Sequence, residues 1–339
     1  MTSATCLSNS CVFVSGATGL LGSHVVRELV ARNYSVKAFV EYDTNTATIN
    51  GLKNLEICYG TILDADALVR ESAECAYIIH IAASTCVFPS RNKLVKEINV
   101  SGTKNMIEAA LKNNAKRMIH VGSANTFGYS GIDNPGYEAL PFCCRKFKLD
   151  YIDSKFEAHQ EVLNAVYNKQ LPAIIVCPTF MLGKYDSKPG SGALVASIYN
   201  NTLPGYTKGG KNYVHANDVA IAIVNALHMG KIGEAYILGN QNLNYKEAFE
   251  LIAKTTGCKA PLVCLPKWLT VFYWATNELF CKVIGKTPKV TLAIARIGNE
   301  GFYYDSRKAI SELKMPQTPV DVAVRDCFLW LKENNLLNK

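Results

Sequence analysis

A chain of 339 residues with 49% hydrophobic content can bury one large core, or a core with a smaller lobe beside it. Its 36 basic and 28 acidic residues leave a net charge of +8, but no dense basic run gathers the excess, so a nucleic-acid surface is a poor reading and solvated lysines on helix faces a better one. No uninterrupted apolar stretch reaches membrane-spanning length, and Met1 to Ser10 has no basic residue, as expected of neither a secretory signal nor a transit peptide.

The first element is an apolar, β-branched run, Cys11 to Val14, short enough for a buried strand. It breaks at Ser15-Gly16-Ala17-Thr18-Gly19-Leu20-Leu21-Gly22 and continues with helical periodicity to Arg32. Three glycines at three-residue spacing let the backbone turn at Gly16, come close to a pyrophosphate at Gly19, and pack helix on strand at Gly22. Phosphates would then meet free N–H groups at the positive end of the helix. Thr18, Leu20 and Leu21 complete that cradle. A second strand, Tyr34 to Val40, ends in Glu41, 19 residues after Gly22, where a dinucleotide site keeps an acid for ribose hydroxyls.

Strand and helix then alternate. Leu55 to Tyr59, Tyr77 to Ile81, Arg117 to Val121 and Ala173 to Cys177 read as strands, with helices over Asp64 to Ser72, Arg91 to Asn113 and Asp150 to Asn168. Six such units with apolar strands imply a parallel sheet covered on both faces: an α/β, Rossmann-type doubly wound fold. Beyond Pro178 the pattern loosens, which predicts a core over residues 1–180 and a smaller substrate lobe over 181–339 that interleaves with it and does not fold alone. Helices are expected at Asp218 to His228 and Tyr245 to Thr255, and a further strand at Glu234 to Leu238. Pro266 to Ile284 mixes five aromatics with three charges and is expected to pack as an amphipathic helix on a core or a substrate, with membrane-surface docking the weaker alternative. Twelve scattered cysteines without a Cys-x-x-Cys pair suggest reduced thiols and a cytoplasmic protein.

The chemistry concentrates in the fifth and sixth units. Ser123 follows a strand's carboxyl end, where ligands bind in open α/β sheets. Tyr151 and Lys155 stand four apart on the next helix, so both project from one face. An adjacent ammonium favours the phenolate, bringing the phenol closer to a working acid or base, while Ser123 can donate to the same substrate oxygen. The trio suits proton transfer to a carbonyl as hydride arrives from a nicotinamide. Tyr304 and Lys308 repeat the spacing but follow no strand-end serine, and are read as structural, with an exposed lysine.

Taken together, these residues resemble the extended short-chain dehydrogenases/reductases, the superfamily that includes dihydroflavonol reductases, hydroxysteroid dehydrogenases and sugar-nucleotide epimerases. The likeness rests on Gly16, Gly19 and Gly22, on His80-Ile81-Ala82-Ala83, on Asn99-Val100-Ser101-Gly102-Thr103, on Ser123, Tyr151 and Lys155, on Pro178 to Gly183 and on Tyr213 to Asp218. It implies that Ser123 orients the substrate oxygen, Tyr151 is the acid or base and Lys155 holds the nicotinamide ribose. Asn99 would support the active-site backbone, Ala82 and Ala83 would line the cofactor channel, and Pro178 and Thr179 would flank the nicotinamide. Thr61 and Ile62 follow Gly60 where the family commonly places an acid facing the adenine, so adenine recognition departs from the pattern. Glu41 stands where reductases preferring the phosphorylated cofactor carry arginine, which predicts NAD over NADP.

Between Phe156 and Ala295 there is no arginine, which disfavours a nucleotide diphosphate in the substrate pocket. Ala124-Asn125 replaces the Asp-Glu pair of the dehydratases. Aromatic candidates for the pocket are Phe88, Phe127, Tyr129, Phe142, Phe180, Tyr185, Tyr206 and Tyr213, with Ser84 and Ala124 at its base. The expected substrate is an apolar or aromatic carbonyl or secondary alcohol, as in the dihydroflavonol reductase-like branch. The alternatives are a nucleotide-sugar epimerase with tightly bound NAD, and a non-catalytic NAD-sensing protein. His215 and Asp218 read as interlobe hydrogen-bonding groups rather than metal ligands, and His80 and His120 as satisfied core histidines. A monomer or a homodimer is expected, with no nucleic acid and no membrane span.

Overall fold

Apolar runs too short for helices, most of them closed by a glycine or a charged residue, become the strands of one parallel sheet. In the computed structural model, which describes residues 10–283 and 291–337, the chain opens with β1 (Cys11–Ser15), α1 (Leu20–Ala31), β2 (Ser35–Val40), β3 (Leu55–Tyr59), α2 (Ala65–Ser72) and β4 (Tyr77–His80). Asp64 starts α2 by accepting the Ala67 N–H at 3.0 Å. The single helix expected over Arg91 to Asn113 is instead α3 (Lys93–Lys96) and α4 (Gly102–Lys112) joined by a π-helical turn over Glu97–Ser101, which re-aims Asn99 inward. β5 (Arg117–Val121), α5 (Asp150–Lys169) and β6 (Ala173–Pro178) complete the expected units.

The sheet has seven strands rather than six. Beyond β6 come β7 (Phe180–Leu182), α6 (Gly192–Tyr199), β8 (Gly210–His215), α7 (Ala216–Asn225) and β9 (Ala235–Leu238). β9 pairs in parallel with β6, from Ile175 opposite Ala235 to Pro178 opposite Leu238, and the whole order is β3-β2-β1-β4-β5-β6-β9. The order reverses between β1 and β4, so the crevice for a ligand lies over their carboxyl ends. α1 and α7 cover one face around Val12, Val14, Val25, Val219 and Ile223. α2, α4 and α5 cover the other around Phe13, Ile78, Met106, Met118 and Val162.

The remaining elements are β10 (Gln241–Asn244), α8 (Tyr245–Thr256), α9 (Lys267–Val283), α10 (Leu292–Ile297), β11 (Gly301–Phe302), α11 (Arg307–Glu312) and α12 (Val320–Glu333). β8 lies between β10, antiparallel to it, and the parallel β7 and β11, with Phe180 opposite Tyr213 and Phe302 opposite Lys211. A third core of Leu182, Val195, Ile198, Tyr213, Phe249, Ile252 and Val324 lies under this small sheet. Asp218 ties α7 to the segment before α12 by accepting the Thr318 N–H at 2.7 Å and its hydroxyl at 2.8 Å. Tyr304 is buried, and Lys308 is half-buried rather than exposed, because it pairs with Glu234 at 2.7 Å.

α9 departs from expectation. The aromatic face expected to pack inward points outward: Trp268, Phe272, Tyr273 and Phe280 are all more than half exposed. The last residue of that predicted segment, Ile284, lies outside the described residues. Among the described residues no helix is long and apolar enough to cross a membrane.

Candidate active site

The glycine turn does three separate jobs. Gly16 adopts φ +71°, and a Cβ there would come within 2.7 Å of the Ala82 backbone nitrogen, so the first turn and the segment after β4 nearly touch. At Gly22 a Cβ would lie 2.1 Å from the Gly16 carbonyl oxygen, which fixes how tightly α1 sits on the turn. Gly19 meets no such limit: its nearest neighbour would be 3.7 Å away, leaving open space above it. As N-cap of α1 it offers no side chain to the first-turn N–H groups, and no acid stands in that turn. An uncapped, acid-free helix start beneath open space fits a dinucleotide's phosphates. Gly19 is exposed and Thr18 and Leu20 half-buried at the rim, whereas the Leu21 side chain belongs to the core, so it could serve a cofactor only through its backbone.

Glu41 sits exposed just past the end of β2, and Thr61 exposed just past β3. The Ile62 side chain is buried, packed where a Cβ on Gly102 would strike it at 2.6 Å, and its carbonyl accepts the Asn105 amide at 3.0 Å. The segment after β4 is held by two buried polar groups. Ser15 places its hydroxyl 3.3 Å from the Ala82 N–H and 2.8 Å from His80 Nδ1. Asn99 accepts the Ser84 N–H at 2.7 Å and donates to the Ser84 carbonyl at 3.0 Å and to Ser154 Oγ at 2.9 Å. The Asn99 amide is thereby spent on supporting the chain around Ala82, Ala83 and Ser84. Ser15 and Ser154 carry no motif of their own; their places beside Gly16 and Lys155 are the only signal in the sequence that points to them.

The start of α5 is locked from the same side, since Asp150 accepts the Asn92 N–H at 2.6 Å and Arg91 bridges Asp150 and Asp153. This places Tyr151, half-buried, beside Ser123 at the end of β5. Burial pushes the Tyr151 phenol above its ordinary range, with the Ser123 hydroxyl pulling it partly back. The expectation that Lys155 would lower this phenol is therefore corrected. Lys155 is 5% exposed, directs its ammonium to the Val121 carbonyl oxygen at 2.6 Å, and is itself pushed down to about 8 by burial.

That depression has a sign. An amine that titrates near 8 when folded and near 10.5 when unfolded is penalised in the folded state at every pH below about 8, and the penalty fades between about 8 and 10.5. The shift corresponds to roughly 3 kcal/mol. Lys155→Met should therefore raise the melting temperature at pH 7 and narrow its advantage over the native chain as pH climbs toward 10, in thermal unfolding followed by circular dichroism. A variant less stable than the native protein at pH 7 would contradict this.

Three histidines surround the trio. His80, between Ser15 and Thr103, is pushed to about 3 by burial and the nearby Lys155, and His159, 3.5 Å from the Thr126 hydroxyl, to about 4 for the same reasons. His120 is not satisfied as expected: among the described residues neither ring nitrogen has a hydrogen-bond partner, and burial holds it neutral. His215, directly before α7, accepts the Asn217 N–H at 3.0 Å and lies 3.3 Å from Asp326 of α12.

The aromatic candidates separate. Phe127 is buried against His159, Phe142 stacks on Phe156 of α5 with centroids 4.2 Å apart, and Tyr213 is buried beneath Phe180. Phe88 is half-buried in the segment after β4. Tyr129 packs on Phe302 and donates to Glu300 at 3.3 Å, and burial raises its phenol. Tyr206 is bridged through its backbone to Cys264. Phe180 lies under the ammonium of Lys211, 4.3 Å from the ring centroid, and burial lowers that lysine to about 8. Pro178 is buried at the end of β6, and the Thr179 hydroxyl donates to Asn212 at 2.9 Å. Ala124 is buried directly after Ser123. Tyr185 does not join this group. A left-handed turn at φ +70° carries its ring across to α1, against His24 and under Arg27, on the opposite face of the sheet from Tyr151.

Comparisons with known proteins agree with this architecture. A family model described as "NAD dependent epimerase/dehydratase family" matches residues 12–239. A Synechocystis sp. protein named "Putative dihydroflavonol 4-reductase" is 29% identical over 331 residues, covering 96% of this chain and 95% of its own. Sterol demethylase protein B of Methylococcus capsulatus is 25% identical over 331 residues, covering 96% and 99%. The crystal structure of gox2253 superimposes with a TM-score of 0.85 at 30% identity, covering 97% of this chain and 100% of that one.

Proposed function

Because the chain belongs to the NAD dependent epimerase/dehydratase family and is an enzyme of the extended short-chain dehydrogenase/reductase type, we propose that it interconverts a carbonyl and a secondary alcohol on an apolar, ring-shaped small molecule. A bound NAD(H) would supply the hydride acceptor or donor. The observation that carries the reading is the pairing of the Ser123 hydroxyl with the Tyr151 phenol at the carboxyl end of β5, above a buried Lys155. Ser123 positions the substrate oxygen. Tyr151, held protonated at neutral pH by burial, gives its proton to that oxygen when a carbonyl is reduced. Lys155, anchored on the Val121 carbonyl, can turn its remaining donors to a ribose hydroxyl. Aromatic rings on the lobe side, with Phe180 half-exposed above Tyr213, favour an apolar ring over a charged sugar diphosphate. The two relatives are named for a dihydroflavonol and for a sterol, both polycyclic.

Glu41 supports NAD as the working cofactor. A carboxylate at the end of β2 accepts hydrogen bonds from free ribose hydroxyls and repels a phosphate, and no lysine or arginine lies between Ser15 and Ser23 to offset it. The test is a panel of polycyclic and aromatic ketones with NADH and NADPH, followed at the reduced-nicotinamide absorbance band. Net oxidation of NADH is expected, with kcat/KM for NADH exceeding that for NADPH by roughly tenfold to a hundredfold, and Glu41→Arg reversing the order. Conversion of a nucleotide sugar with no net change in added cofactor would establish the epimerase reading in its place.

A further inference from the structure

The outward face of α9 has a specific shape. Trp268, Phe272, Thr276 and Phe280 recur at four-residue spacing, so they form one stripe along the helix, with Leu269 and Tyr273 beside it. Trp268 is 71% exposed, Phe272 65% and Phe280 61%, and the preceding loop adds Leu262 at 86%. The polar member of the stripe asks nothing of a partner, because the Thr276 hydroxyl donates back to the Phe272 and Tyr273 carbonyls. Contiguous large apolar side chains on this scale mark a surface that is covered in use.

Charge identifies the cover. Residues 251–295 hold six lysines and one acid, five of the eight net positive charges of the chain. Lys254, Lys259 and Lys267 are exposed, and the one acid, Glu278, accepts the Leu292 N–H at 2.8 Å. A second copy docked on this face would bring like charges together. A single helical stripe of Trp, Tyr, Phe and Leu, with Lys267 at its start and Lys254 and Lys259 exposed in the segment leading into it, suits a flat, negatively charged apolar boundary. We propose that α9 and the loop before it dock the protein, without crossing, on the surface of an anionic phospholipid bilayer.

The docked element is joined to the aromatic side of the cleft. Tyr206 donates its N–H to the Val263 carbonyl at 2.9 Å and accepts from Leu265 at 2.7 Å, and Lys267 and Tyr129 share Glu300 at 3.3 Å each. Under the catalytic reading above, an apolar substrate would enter from the lipid side; the docking itself does not depend on that reading.

Flotation of the full chain with vesicles tests it without any assay of activity. With phosphatidylcholine and phosphatidylglycerol in equal parts, the protein is expected to float, and with phosphatidylcholine alone to stay at the bottom. Trp268→Glu combined with Phe272→Glu should lower the lipid partition coefficient by roughly a hundredfold while leaving the melting temperature unchanged, since both rings are exposed. High salt should release the native chain from the charged vesicles. Equal flotation on neutral vesicles, no flotation on either, or a dimer in light scattering that the double variant converts to monomer would each overturn the proposal.

Discussion

Tyr151→Phe should lower kcat for carbonyl reduction by roughly a thousandfold or more while leaving NADH binding and the melting temperature nearly unchanged. The ring stays, so packing at the start of α5 is retained, and the clamp from Asp150 and Arg91 that positions the residue does not involve the hydroxyl. What is lost is the proton. A phenol raised by burial is a weak acid in the resting site, so its contribution is realised only as charge develops on the substrate oxygen, where it is stabilised by the Ser123 hydroxyl beside it. The loss should therefore fall on kcat rather than KM. Isothermal titration with NADH and steady-state kinetics on the best ketone of the panel separate the two. A variant retaining a tenth of native turnover or more would remove Tyr151 from the chemistry.

The sequence makes the order of β1 to β6 and their helices legible because each strand is a short, mostly apolar run and the helices between them show an apolar stripe. The parts that escape it are those whose meaning depends on distant partners. β9 is four residues long, Ala235–Leu238, and nothing in that run tells whether it extends the main sheet or a separate one; only pairing with β6 decides. β7 and β11 are shorter still. The π turn at Asn99 leaves no trace in the periodicity, yet it places an amide between Ser84 and Ser154.

The candidate site divides the same way. The spacing of Tyr151 and Lys155 is local, and the helix delivers it. The electrical consequence is not local, because the burial that lowers Lys155, His120 and His159 and raises the Tyr151 phenol comes from elements distant in the sequence. Tyr185 shows the limit most plainly. Its position after β7 suggests the pocket, but one left-handed residue turns the ring to the other side of the sheet.

The glycine turn offers the sharpest separation of fold from function, since two of its members should fail in opposite ways. Gly22→Ala introduces a Cβ that would sit 2.1 Å from the Gly16 carbonyl and 2.8 Å from Ala17, all of it backbone that cannot swing aside. Relieving that overlap means lifting α1 off the turn, and the cost should be about 3 kcal/mol or more, read as a fall of several degrees in melting temperature without any cofactor present. Gly19→Ala meets nothing closer than 3.7 Å and keeps φ at −72°, which alanine adopts freely, so its melting temperature should stay within a degree or two of native. Its methyl group, however, stands in the open space over the uncapped helix start, where a pyrophosphate must come into contact with the backbone, and NADH affinity should fall by roughly a hundredfold. If Gly19→Ala binds NADH as tightly as the native chain, the space above that residue is not the phosphate site, and the assignment of the whole crevice to a dinucleotide fails with it.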